Sequence, residues 1–484
     1  MKNFFLLISL FFAFHFQFAQ AQDLHENSFN CFSILVGKEA SKDGSVLFAH
    51  NEDDYGTRIV NWYKVPEKNH GLEETILLKN GGEIDQVTKT FSYLWLEMPE
   101  MEFSDGFMNE FGVTIASDAC RSKEDNPALV DGGIGYGLRR IMAERAQTAK
   151  EAVKIAGRLV EEKGYSSSGR TYCIAGPDEA WVLSIVNGKH WVAQRVPDDE
   201  VVVIPNYYTI REVDLSDTVN FLGSSDLIQY STDRGWYNPA QDGNFIFRNV
   251  YGEPGSINHK DNILRMWRGV NMLSNDEFDL DAQFPFSFHP QKKISLSDLM
   301  QVLRDHYEGT DMDLTNNYLE KNPHETENRT ICCSSTQYGF VAQLRSNLPA
   351  YIGSVMWLAP YRPCVHPFFP WYAGITEIPD GFYRGNFTSA GEEHFSPAVN
   401  LYENNDSLAY WSFYKNAEMI DQDYGNLIKN VQKKNARLES KWIEEQSAFE
   451  TMLLTKYSNN PDTIKELLTR QTAKYANDVW KMVK

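Results

Sequence analysis

Cys31-Phe32-Ser33-Ile34-Leu35-Val36-Gly37-Lys38-Glu39-Ala40-Ser41-Lys42-Asp43-Gly44-Ser45-Val46-Leu47-Phe48-Ala49-His50-Asn51-Glu52-Asp53 has the pattern of a β-hairpin. Two short apolar-biased runs, Phe32–Val36 and Ser45–His50, flank a polar segment that ends in the turn pair Asp43-Gly44. With the loop centred near residue 41, Cys31 lies across from residues 50–52 of the partner strand. The cysteine therefore faces His50-Asn51-Glu52-Asp53-Asp54.

The residues before the hairpin give that cysteine a chemical meaning. Lys2, the apolar run Phe4 to Phe18 and the small-x-small site Ala19-Gln20-Ala21 form a secretory signal over residues 1–21. The run is about 15 residues long and is broken by His15 and Gln17, short of the ~20 a membrane span needs. Cleavage after Ala21 and export to the periplasm or the medium are expected, with no membrane span. Residues 22–30 read as a short propeptide, and Ser28-Phe29-Asn30 do not fit a lipid-attachment site. Cutting the Asn30–Cys31 bond would make Cys31 the first residue of the mature chain. A thiol of pKa ~8.5 and an α-amine of pKa ~8 would then share one residue, nucleophile and base together. Across the hairpin, Asp53 is placed to hydrogen-bond the amine. Asn206, at the end of a strand, offers a side-chain amide to an oxyanion. Taken alone, Asp53 reads as a strand-end carboxylate, Asn206 after Pro205 as a turn residue, and His50 as a satisfied core histidine.

Composition narrows the partners. The chain has 42% hydrophobic and 13% aromatic residues, as a globular protein does, and its 46 basic and 66 acidic residues leave a net charge of −20. Such a charge disfavours nucleic acid and anionic membrane surfaces. Six cysteines, at 31, 120, 173, 332, 333 and 364, are too few for a disulfide scaffold of this length. No CxxC occurs, and no cysteine–histidine spacing points to zinc. His306 and Glu308 have no third ligand at helical spacing and read as a structural or substrate-loop pair. Gly133-Ile134-Gly135-Tyr136-Gly137 lacks the spacing of a phosphate loop. No metal and no cofactor are expected.

Along the rest of the chain, Tyr93–Met98 and Gly112–Ser117 read as strands. A helical pattern runs from Leu138 to Glu162, stopped by Gly164. A meander follows over Thr171–Ala175, Ala180–Val186, His190–Val196 and Val201–Ile204. Ser295–His306 is helical. Gln337–Leu344 and Ser354–Leu358 are strands. Tyr361–Tyr383, rich in proline and aromatics, reads as an irregular surface-covering segment. From about Ser407 to Lys484 the pattern is helical. The class is mixed α+β.

Several segments, in order, resemble the dipeptidase A / secernin family of cysteine N-terminal-nucleophile hydrolases, relatives of the penicillin acylase and bile-salt hydrolase group. Cys31 to Ala40 with Ser41-Lys42-Asp43-Gly44-Ser45 resembles the family's nucleophile strand and turn. His50-Asn51-Glu52-Asp53 resembles its Arg-Asn-x-Asp motif. Met108-Asn109-Glu110-Phe111-Gly112-Val113, Glu144-Arg145-Ala146, Glu179-Ala180-Trp181 and Arg195-Val196-Pro197-Asp198 follow. Arg304-Asp305-His306-Tyr307-Glu308-Gly309-Thr310 with Asp313-Leu314-Thr315 is the most distinctive match, continued by Leu348-Pro349 and Trp357. The resemblance implies an αββα sandwich of two antiparallel sheets between helical layers, with a catalytic domain over 31–400 and a helical C-terminal region, 401–484, packed on it. It implies an exported cysteine amidohydrolase acting on a dipeptide or small amide. Cys31 would be the nucleophile, Asp53 would hold its amine, and Asn206 would be the oxyanion donor, with Arg329 a weaker candidate. One departure stands out: His50 occupies the place of the related group's arginine, and it is neither a fixed charge nor a bidentate fork. Acylamide hydrolysis is the alternative chemistry. An inactive secreted binding protein that retains the fold is the alternative class.

Overall fold

A computed structural model describes residues 31–54 and 59–484. The expected signal and propeptide, residues 1–30, lie outside the described residues. The main strands are β1 (Phe32–Val36), β2 (Val46–Asp53), β3 (Asn61–Val65), β4 (Tyr93–Glu97), β5 (Gly106–Asn109), β6 (Thr114–Ala119), β7 (Arg170–Ala175), β8 (Ala180–Ile185), β9 (Trp191–Arg195), β10 (Val201–Ile204), β11 (Phe221–Gly223), β12 (Thr336–Leu344), β13 (Ser354–Pro360) and β14 (Phe369–Tyr372). The main helices are α1 (Leu138–Arg145), α2 (Ala149–Lys163), α3 (Lys260–Leu273), α4 (Leu296–Leu303), α5 (Ala409–Asp421), α6 (Tyr424–Tyr457) and α7 (Pro461–Val483).

Two antiparallel sheets form the centre. One has six strands in the order β10-β1-β2-β12-β13-β14, the other eight in the order β11-β9-β8-β7-β6-β5-β4-β3. β1 and β2 pack across onto β6 and β7. Helices α3, α4 and α7 cover the outer face of the first sheet, and α1 and α2 cover the second. The layers run helix, sheet, sheet, helix: this is the expected αββα sandwich. Among the described residues, no helix is long and apolar enough to cross a membrane.

The hairpin forms as its pattern predicts. Phe32 pairs with Asn51 and Val36 with Leu47. Gly44 takes φ +78° in the turn, a conformation that costs glycine little, and the Asp43 carboxylate accepts the Ser45 N–H at 3.2 Å. The turn Asn109 to Val113 has an equally local cause. Asn109 Oδ1 accepts the N–H groups of Phe111 and Val113, each at 3.0 Å. Its Nδ2 donates to the carbonyls of Ala143 and Ala146 at the end of α1, at 2.9 and 2.7 Å. Gly112, at φ +82°, leaves room for Ser354, because a Cβ there would lie 2.1 Å from its Oγ.

Three expectations are corrected. The pattern over Leu138–Glu162 is two helices, because Ala146 turns extended and the Thr148 side chain caps a new helix by accepting the Glu151 N–H. Val201–Ile204 does not continue the meander. The chain crosses to the other sheet after β9, and β10 pairs with β1, with Ser33 opposite Ile204. Periodicity within a strand says nothing about which sheet takes it. Finally, Tyr361–Tyr383 is largely buried and supplies the edge strand β14. Its aromatic rings fill the space between the first sheet and the C-terminal helices.

Those helices are fastened by buried ion pairs. Arg304 holds Glu439 of α6 through both carboxylate oxygens, and Arg345 holds Glu450 at 2.6 and 2.7 Å. Glu450→Ala would leave Arg345 without its partner in a nearly closed site, and is expected to cost roughly 3–5 kcal/mol. The urea unfolding midpoint measures it. A loss under about 1 kcal/mol, the worth of a surface pair, would contradict this.

Candidate active site

Side chains alternate along a strand, so Cys31 and Ser33 share one face of β1 and Phe32 takes the other. Phe32 packs beneath α3, where Gly269 makes room for its ring. Cys31 and Ser33 therefore face the second sheet. Continuing the β1–β2 register by one residue sets Cys31 opposite Glu52, and continuing the β1–β10 register by two sets it opposite Asn206. The start of β1 thus lies between the two residues that flank any chemistry at Cys31.

A line of hydrogen bonds leads away from the thiol. Cys31 Sγ lies 3.1 Å from Glu52 Oε1. Glu52 Oε2 is 3.0 Å from His50 Nε2. His50 Nδ1 is 2.8 Å from Ser33 Oγ, which donates to Asp118 Oδ2 of the second sheet at 2.7 Å. All five residues are buried. Burial pushes the Glu52 carboxyl up to about 8 and the Asp118 carboxyl up to about 6, and pushes the His50 imidazole down to about 4. These directions select one proton arrangement near neutral pH. Asp118 is ionised and accepts from Ser33, so Ser33 accepts from His50 Nδ1–H. His50 Nε2 is then a bare lone pair and accepts the proton of a neutral Glu52. Glu52 Oε1 is left to accept the thiol S–H. The His50–Glu52 contact is therefore a neutral hydrogen bond, not an ion pair.

Burial pushes the Cys31 thiol well above its ordinary range, reinforced by Glu52, Asp118 and Asp53. The countercharges nearby are Arg139 of α1 and Arg170 of β7, both buried and both acting on Glu52. Arg170 also lies 4.1 Å over the Phe103 ring and acts on Cys31. In this chain the Cys31 nitrogen is a peptide nitrogen joined to Asn30. An α-ammonium would exist only after that bond is cut, and it would add a positive charge beside the three carboxyl groups.

On the other flank, Arg265 of α3 donates to the Cys31 carbonyl at 3.0 Å and to Asn206 Oδ1 at 2.9 Å. One guanidinium therefore ties the two residues together. It also orients the amide, since a flipped Asn206 would aim N–H at a cation. Among the described residues, Asn206 Nδ2 is left buried with no hydrogen-bond partner. An unmet buried donor costs about 1–3 kcal/mol and calls for a reason.

Asp53 is fully buried. Its carboxylate accepts from Thr336 Oγ1 at 2.6 Å, from Arg329 at 3.3 Å and from the Cys333 thiol at 3.4 Å, while its backbone carbonyl lies 3.8 Å from Cys31 Sγ. The residue stands beside Cys31 as the hairpin predicted, with its carboxylate held by the segment 329–336. Arg329, the weaker candidate from sequence, lies 3.3 Å from Asp53 Oδ2.

Glu52, Ser33, Asp118, Arg170 and Arg265 carry much of this geometry and were given no role from sequence. Ser33 and Glu52 had a signal, because they lie two residues from Cys31 and His50 on the inward face. The other three come from distant elements and had none.

A family model described as Peptidase family C69 matches residues 30–437. The chain belongs to peptidase family C69. It is 27% identical to "Dipeptidase A" of Lactobacillus helveticus over 371 residues, 73% of this chain and 77% of the relative. It is 28% identical to a "Probable dipeptidase" of Latilactobacillus sakei over 367 residues, 73% and 76% of the two chains. A "Probable dipeptidase B" of Streptococcus pyogenes serotype M1 is 24% identical over 488 residues, 96% and 93% of the two chains. Among solved structures, penicillin V acylase from Agrobacterium tumefaciens matches 71% of this chain and 86% of its own, at 13% identity and a TM-score of 0.34.

The raised carboxyl of this C69 peptidase makes a pH prediction. Between the ordinary value of 4.5 and about 8, the unfolded chain gives up the Glu52 proton and the folded chain keeps it. Stability therefore falls as pH rises through that window, and below it the side chain is neutral in both states. Glu52→Gln removes the penalty. In a Cys31→Ala background, the Gln variant should gain stability over its parent by a few kcal/mol more at pH 9 than at pH 4.5, read from urea midpoints. An advantage that does not change with pH would contradict the assignment.

Proposed function

We propose that this chain is an exported cysteine dipeptidase in which Cys31, freed at its α-amine, is the nucleophile. The observation that carries the reading is the setting of Cys31. It opens a central strand, with a carboxyl network on one side and, on the other, Asn206 Nδ2, which has no partner among the described residues. The dipeptidase names of the relatives support the substrate class, and the pattern of residues 1–21 supports export.

Processing would use the same thiol. Cys31 Sγ attacks the Asn30 carbonyl, the peptide nitrogen leaves as the new α-amine, and water releases residue 30 from the thioester. In turnover the amine takes the thiol proton and Sγ attacks the scissile carbonyl. The oxyanion is held by Asn206 Nδ2–H together with a backbone N–H. Collapse expels the product amine, which takes the proton back from the α-ammonium. Water, deprotonated by the same amine, then hydrolyses the thioester. The ammonium stabilises the thiolate against Asp53 and Asp118. Asp53, braced by Arg329 and Thr336, offers the negative charge that holds it.

N-terminal sequencing of the active protein tests the reading, together with a panel of dipeptides and N-acyl amino acids. The expected start is Cys31, with dipeptides hydrolysed faster. A mature start at Gln22 with full activity would overturn the nucleophile. Preference for N-acyl amino acids would turn the substrate class to acylamides.

A further inference from the structure

A second cluster of reactive side chains lies away from Cys31. We propose that His306, His324, Cys332 and Cys364 bind one zinc ion, which fastens the segment carrying the partners of Asp53. One ligand atom from each of the four residues lies within 4.8 Å of all the others. All four side chains are closed to solvent, with exposures of 0% and 1% for the two histidine side chains. A tetrahedral Cys2His2 zinc site has ligand–ligand edges of roughly 3.3–3.8 Å, given its bond lengths. The Cys364 Sγ to His324 Nε2 edge is already 3.5 Å, and with all ligand atoms within 4.8 Å of one another the remaining edges need to close by about 1.5 Å at most.

The histidines are prepared in the way metal ligands are. His324 Nδ1 lies 3.0 and 3.2 Å from the two oxygens of Asp421, and His306 Nδ1 lies 3.1 Å from the Tyr318 hydroxyl and 3.5 Å from Glu308. A carboxylate on Nδ1 keeps the proton there, orients the ring and leaves the Nε2 lone pair for the metal. His324 Nε2 faces the Cys364 thiol. His306 Nε2 is buried and, among the described residues, meets no hydrogen-bond partner. Tyr424 and Tyr318 set their rings edge-on against the histidines and keep water out. A ring nitrogen so placed, with Nδ1 held on the other side, is free to serve as a metal ligand. On binding, Zn²⁺ displaces the two thiol protons, and two thiolates with two neutral imidazoles make an uncharged centre fit for burial. Soft sulfur with imidazole in a closed, four-ligand set selects zinc over magnesium or calcium.

The location gives the ion a role. Cys332 adjoins Cys333, which lies against Asp53, and the same segment carries Arg329 and Thr336. Cys364 lies in the buried segment after β13, and Asp421 ends α5. Zinc would hold three remote parts of the chain together behind the Asp53 carboxylate. This departs from the sequence expectation of no metal.

The test is the metal content of the full chain, purified without a metal-affinity tag and dialysed against zinc and then buffer. One zinc per chain is expected, with the Cys31→Ala variant retaining it and the Cys364→Ser variant losing it. If Cys364→Ser does not fold, mercurial titration of the wild-type protein replaces it, and release of the zinc as the cluster thiols are modified supports the site. Cobalt exchanged into the wild-type protein should show the charge-transfer band of thiolate ligation. Folded wild-type protein that holds no metal after zinc exposure would overturn the proposal. So would a Cys332–Cys364 disulfide in non-reduced peptide maps, or zinc that disappears with Cys31→Ala and persists with Cys364→Ser.

Discussion

Cys31→Ala is expected to lower dipeptide turnover by on the order of 10⁴-fold or more and to leave the chain uncut between Asn30 and Cys31. The two effects share one cause, because the thiol that would cut the bond is the thiol that would attack substrate. The fold should survive. The substitution removes one S–H hydrogen bond to Glu52 from a network whose other members remain paired, at a cost of about 1–2 kcal/mol. Thermal unfolding followed by circular dichroism checks the fold, intact mass checks processing, and single-turnover hydrolysis checks chemistry. A variant that is still cut at Cys31, or that still turns over, would remove Cys31 from the mechanism.

Asn206→Ala should lower kcat by about 10²–10³-fold with KM moved only a few-fold, the pattern of a donor used in the transition state. A second substitution separates this role from a structural one. Asn206→Asp keeps the oxygen that accepts from Arg265 at 2.9 Å and keeps the shape, and it replaces the free N–H with an acceptor. If Asn206 served only to orient Arg265, the Asp variant would be active. As an oxyanion donor it cannot be replaced by a carboxylate, so the Asp variant should be as slow as the Ala variant. Recovery of activity in Asn206→Asp would end the assignment.

The hairpin was legible because its causes are local. Alternating apolar residues and the Asp43-Gly44 turn set the register of β1 on β2, and the register alone brings Cys31 opposite Glu52. Asp53 followed from the same count, although its carboxylate went to Thr336, Arg329 and Cys333, partners on a segment some 280 positions away. The ordered motifs of the chain carried the family, and with it the αββα layers. The helix break at Thr148 was missed because apolar spacing continues across it, while a single threonine side chain restarts the hydrogen bonding.

By itself, then, the sequence carried most of the elements, the hairpin register and the family, since each rests on neighbours along the chain or on a linear order of motifs. Only the tertiary structure decided that β10 crosses to lie beside β1. The same folding brings Asp118 and Arg170 from the opposite sheet and Arg265 from an outer helix to meet at Cys31. It also gathers two histidines and two cysteines, spread over residues 306–364, into one closed cluster. These placements come from burying two sheets and their helices against each other. That packing energy is collected between segments distant in sequence, and no local pattern of residues records it.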